Sequence, residues 1–157
     1  MRRIAVALAA CAGLSACGTL GGDYPTLRYA SAAESGVVAM QLAGRPSNED
    51  MLEAEDRWSR AITDAYACRI DTASVTEAAT IGAMELAAMS SASRGRQEPF
   101  EGVIGYMASL SRQRGLSAGR QPGAERCERL SEWVGSVRYE GRDLLLREAR
   151  DRLLPPG

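Results

Sequence analysis

The chain has no histidine, and read residue by residue it has no lysine either, so all 19 of its basic side chains are arginine. Base composition of the genome is the simple explanation, but the chemical consequence stands whatever the cause. Without imidazole there is no Ser/His/Asp or Cys/His constellation, no His metal site and no His-ligated haem. Without an ε-amine there is neither a Schiff base nor a phosphate-binding P-loop. Phenylalanine occurs once, and aromatic residues make up only 5% of the chain. No alternating strand pattern of useful length, no internal repeat and no phosphate-cradling glycine pattern is present. What remains for catalysis is carboxylate acid/base work, as in glycoside cleavage, or hydroxyl chemistry.

What is present begins at the N-terminus. Arg2 and Arg3 form a positive region, and Ile4 to Leu14 form an apolar run shorter than the roughly 20 residues a permanent membrane span requires. Leu14, Ser15, Ala16 and Cys17 then resemble the lipobox of bacterial lipoproteins. The resemblance implies a signal peptide over 1–16, cleaved before Cys17, with acyl chains on the cysteine sulfur and on the new amino terminus. Cys11 falls inside the discarded segment, because Leu8 to Ala10 make a poorer lipobox. Two or more acyl chains, each contributing about 0.8 kcal/mol per buried methylene, anchor a protein stably where one does not. Gly18 stands where an aspartate, in lipoproteins, signals retention in the inner membrane. The expected place is therefore the inner leaflet of the outer membrane, facing the periplasm, with the membrane itself as a partner through Cys17.

Cleavage would remove 16 of the 157 residues and leave 141, enough for one domain with a real core. Loss of Arg2 and Arg3 leaves 17 arginines against 20 carboxylates, a net charge of −3, which gives no electrostatic footprint for nucleic acid or for anionic lipid and disfavours polyanion binding. Residues 17–30 lack helical period and read as a lipidated flexible tether, reaching at most roughly 50 Å when extended. Residues 31–154 read as a single helical domain, and 155–157 as a C-terminal tail.

Within that domain Ser31 and Glu34 have capping-box spacing, and Gly44 and Pro46 mark a stop. Ser47 can cap a second helix with Glu49, Asp50 and Glu53 in its first turn. Met51, Ala54, Trp58, Ala61, Ala65 and Cys68 form its apolar stripe, widened by Ile62. Ser74 and Glu77 suggest another capping box ahead of AATIGAMELAAMS, which is apolar on nearly every side and reads as the central helix. Residues 48–92 could form one helix or two. Pro99 fits the first position of a further helix carrying Phe100, Val103, Ile104, Met107 and Leu110 along one side. SAGRQPGA is the clearest loop. A last segment runs from about Ala124 to Leu154, with Gly135 and Gly141 as places where it could bend. Asp143 with Arg147, and Glu148 with Arg152, are i,i+4 pairs on its solvated face. The fold class is all-α, an antiparallel bundle of four to five helices.

Cys68 and Cys127 would be the two thiols left besides Cys17, and in an oxidising periplasm they are expected to form a disulfide; the competing reading is two small buried apolar residues. Their spacing, with no histidine nearby, is not a recognisable metal-ligand set. Met40, Met51, Met84, Met89 and Met107 raise copper(I), yet methionine at helical spacing reads as core. No metal and no cofactor is expected.

Glu85 is the one carboxylate in the apolar central stretch. Buried, its pKa would rise as a general acid requires, which suggests a murein-cleaving enzyme using Glu85 with Glu101 or Glu77. The competing reading puts Glu85 on a narrow exposed stripe or against an arginine, and no sequence around these glutamates resembles a lytic enzyme. The expected function is a non-enzymatic interaction or accessory subunit of a cell-envelope assembly, with an envelope protein as partner. The alternatives are a binding module for an apolar ligand in the helical core and the murein-active enzyme. An exposed apolar groove on a dry, contiguous core favours the first, an enclosed cavity above a few hundred cubic ångströms the second. Carboxylates converging in an open cleft favour the third.

Overall fold

The computed structural model describes residues 24–34, 39, 42–95 and 100–153, and the side chains of its last helix through residue 144. The signal segment, Cys11 and Cys17 lie outside the described residues, as do Val37, Val38, Met40, Pro99 and the side chains of the Asp143–Arg147 and Glu148–Arg152 pairs beyond Leu144. Six helices and no strand occur among the described residues: α1 Tyr29–Glu34, α2 Asn48–Ala67, α3 Thr72–Arg94, α4 Val103–Ser111, α5 Gln113–Leu116 and α6 Ala124–Leu153. The fold is an all-α bundle.

Helix α2 starts where its sequence directs. Ser47 accepts from the Asp50 backbone N–H, and Asp50 accepts from the Ser47 backbone N–H, a closed capping box. It ends without glycine or proline. Arg69 adopts φ +59°, the Ile70 N–H reaches back to the Ala65 carbonyl at 3.3 Å, and the Arg69 N–H donates to the Tyr66 carbonyl at 3.0 Å. This is a Schellman-type ending with arginine in the left-handed position, so 48–92 is two helices. The cap of α3 is Asp71, which accepts from the Ser74 N–H, rather than Ser74 itself; the aspartate three residues upstream takes the role because the chain leaves α2 in extended form.

Helix α3 is the centre of the molecule. It buries fourteen of its 23 residues, with α1, α2, α4 and α6 all packed on it. Trp58 of α2 lies against Gly82, and Tyr66 meets Thr76, so α2 and α3 run antiparallel. Cys68 joins Cys127, and Trp58 faces Trp133 with ring centroids 5.5 Å apart, so α6 is antiparallel to α2. Ser74 meets Arg138 and Ile81 meets Gly141, so α6 runs in the same direction as α3. The short return through α4, α5 and the 117–123 loop makes that possible. α6 is continuous through Gly135 and Gly141, and Gly141 lets α6 lie directly on Ile81.

Two expectations are corrected here. The tether does not extend to Ala30: Tyr24, Leu27, Tyr29 and Ala30 are buried, because Tyr24 stacks near Trp133 and the Pro25 carbonyl accepts from the Trp133 indole N–H at 2.8 Å. Ser31 is not a cap but an interior residue of α1, donating to the Leu27 carbonyl. A third correction concerns α4, which begins at Val103 after Gly102 at φ +85°, not at Pro99. Phe100 packs against the core, whereas Ile104 is 79% exposed.

Candidate functional site

The disulfide Cys68–Cys127 forms, closing 59 residues of sequence between the end of α2 and the start of α6. Beside it lies an open cleft of about 460 Å³, lined among others by Arg69, Asp71, Ser74, Ser131 and Arg138. Its walls are the α2–α3 connection and the first turns of α6. One turn back along α2 from Cys68, Asp64 is 2% exposed. Arg126 clamps its Oδ2 through Nε at 2.9 Å and Nη2 at 2.6 Å. Arg120 Nε lies 2.8 Å from Oδ1 but out of line for a hydrogen bond, which leaves that buried oxygen without one. Asp64 thus ties the 117–123 loop and α6 to α2, beside the disulfide. Nothing in the α2 stripe marks it, because an aspartate between Ile62 and Ala65 reads as the edge of a solvated face. Its partners Arg120 and Arg126 were equally unmarked, lying in and just beyond a glycine-rich loop.

Glu85 is buried, as a carboxylate amid Met84, Leu86 and Met89 must be on a central helix, but its oxygens are taken. Oε1 accepts from the backbone N–H of Arg28 at 3.1 Å and of Tyr29 at 2.8 Å, and Oε2 from Tyr29 at 3.0 Å and Ala30 at 2.7 Å. These are the orphan donors at the start of α1, so a side chain 55 residues away in sequence caps that helix. Burial pushes the Glu85 carboxyl up, and the three backbone donors and Arg28 oppose the rise. The competing reading of an exposed stripe or an arginine partner is also corrected, since the partner is backbone.

Glu77 sits on another face. Arg138 Nε donates to its Oε2 at 2.6 Å and Arg142 Nε to its Oε1 at 3.0 Å. The hydrogen bonds from Arg142 and then Arg138 hold the Glu77 carboxyl below the usual range, the opposite of what a general acid needs. Glu101 lies exposed at the turn before α4. The structure therefore sends Glu85 to α1 and Glu77 to α6, and the proposed pair does not face a common cleft. Among the described residues no group of three or more His, Cys, Asp or Glu could hold a metal ion. No described helix is long and apolar enough to cross a membrane.

The remaining feature is a surface. Helix α4, VIGYMASLS, carries no charge, yet only Leu110 of it is buried. Ile104 is 79% exposed, and Leu116 on the adjoining α5 is 64% exposed. No family model, no curated protein and no solved structure matches this chain.

Proposed function

We propose that this chain is a lipid-anchored component of a bacterial cell envelope. It is acylated at Cys17, held in the inner leaflet of the outer membrane on the periplasmic side, and uses its helical domain to bind another envelope protein rather than to catalyse a reaction. The observation that carries this reading is the uncharged α4 with Ile104 turned to solvent. Leaving an isoleucine side chain in water forgoes about 1.5–3 kcal/mol of burial, and a contiguous exposed apolar patch marks an interaction site. The carboxylates support it from the other side, since Asp64, Glu77 and Glu85 each have structural partners. The open cleft is lined by Arg69, Asp71 and Arg138, a poor match for the enclosed apolar walls an oily ligand wants.

The test is site-specific photocrosslinking in intact cells. A crosslinker at position 116 should give a discrete protein adduct that an Ile104→Asp exchange abolishes, whereas one at Thr72 should give none. Adducts from Thr72 alone would overturn the role of α4. Mass spectrometry of the membrane-extracted protein should find three acyl chains on Cys17 as the first residue; an unmodified N-terminus would overturn the anchor.

A further inference from the structure

We infer that the side of the bundle around Tyr24, Arg57 and Arg129 is the face held against phospholipid headgroups. This rests on acylation at Cys17, as proposed above. The argument is one of reach. Tyr24 is 5% exposed and fixed in the core, and seven residue steps separate it from Cys17. At full extension those steps cover at most about 25 Å. A compact body of the size of residues 24–153 is roughly 35 Å across. An orientation with Tyr24 on the side away from the leaflet is therefore beyond the reach of the chain, and the Tyr24 face stays towards the lipid.

That face carries suitable chemistry. Arg57 Nη2 donates to the Tyr24 carbonyl at 3.5 Å, and the Arg129 guanidinium lies beside the Tyr24 side chain. The two come from different helices, α2 and α6, and their side chains are 36% and 45% exposed. Among the described residues each pairs with a surface glutamate at i−4, Glu53 for Arg57 and Glu125 for Arg129. Such exposed pairs are weak, so a headgroup phosphate can replace the carboxylate, and guanidinium matches phosphate in a two-pronged fashion. Helix α4 packs on α3 and touches α2 and α5, while α1 packs on α3 and touches α6. Ile104 stands on α4, which packs on neither α1 nor α6 among the described helices, and serves as the reference position.

The experiment uses the full lipidated protein in vesicles of phosphatidylethanolamine and phosphatidylglycerol, with a benzophenone side chain at Glu53, Glu125 or Ile104. Photolysis at 53 and 125 should give phospholipid adducts at least fivefold more abundant than at 104. Inserting a Gly/Ser segment of about 15 residues between Gly21 and Gly22, which lengthens the fully extended reach by roughly 50 Å, should reduce the 53 and 125 adducts several-fold. Equal yields at the three positions, or a larger yield at 104, would overturn the orientation. Yields at 53 and 125 unchanged by the insert would overturn the dependence on reach. The intact mass is read in the same sample, so an unacylated Cys17 registers separately as failure of the anchor.

Discussion

Gly82 lies flat against Trp58: a β-carbon there would fall 2.5 Å from Trp58 Cε3 and 2.6 Å from Cζ3. The indole is 1% exposed and also faces Trp133, so it has nowhere to retreat. Gly82→Ala should lower stability by about 1–3 kcal/mol through overpacking. Gly135, on α6, has nothing within 4 Å of where its β-carbon would stand. Gly135→Ala should therefore raise stability by about 0.5–1 kcal/mol, the helix-propensity gain alone. Urea denaturation of both variants checks the opposite signs.

Loss of the Cys68–Cys127 bridge removes a constraint on a 59-residue loop, worth about 4 kcal/mol in the chain-entropy treatment. Cys68→Ala with Cys127→Ala should lower the urea midpoint by that amount divided by the m-value. Dithiothreitol should do the same to the native protein and nothing further to the double variant.

Asp64→Ala leaves Arg120 and Arg126 without their buried partner. Truncating one side of a fully buried pair costs about 3–5 kcal/mol, but these guanidinium groups are 47% and 46% exposed, and hydration of the freed arginines reduces the loss to roughly 1–3 kcal/mol. Hydrogen exchange should quicken most at 117–126, with little change in α1. Uniform quickening across the bundle would contradict the local tie.

The Glu85 carboxyl is pushed up by burial, so the folded protein holds this proton more tightly than the unfolded chain. Between the ordinary glutamate range and the raised value the folded state binds more protons, and stability falls as pH rises through that window. Glu85→Gln does not titrate there. The stability difference, wild type minus Glu85→Gln, should therefore shrink from pH 4 upward, measured by chemical denaturation at a series of pH values. Glu85→Ala, which uncaps three N–H groups, two of them buried, should cost about 1–3 kcal/mol and speed exchange in α1.

The long elements were legible because their signals are local. The Ser47 box, the stripe through Trp58 and Ala61, and the apolar run from Ala78 to Met89 each depend on residues within a few turns, and the structure keeps all three. The bridge between Cys68 and Cys127 followed from counting thiols. What was not legible depends on distant partners. The break after α2 relies on Arg69 accepting a left-handed backbone, which no composition signals. The burial of Tyr24 depends on an indole 109 residues further along, and the meaning of Glu85 depends on a helix start that its own neighbours do not announce. Ile104 was expected inward on periodicity, but α4 meets the bundle through Leu110 with Val103, Tyr106 and Met107 and leaves the isoleucine outside.

The clamp of Glu85 on residues 28–30, together with the Trp133 hydrogen bond to Pro25, has a mechanical consequence. A pull on the chain ahead of Tyr24 is delivered to α3 and α6 in the interior, not to a loose end that could peel away. Load applied there is shared by the whole bundle, so yielding at that end and global rupture become the same event.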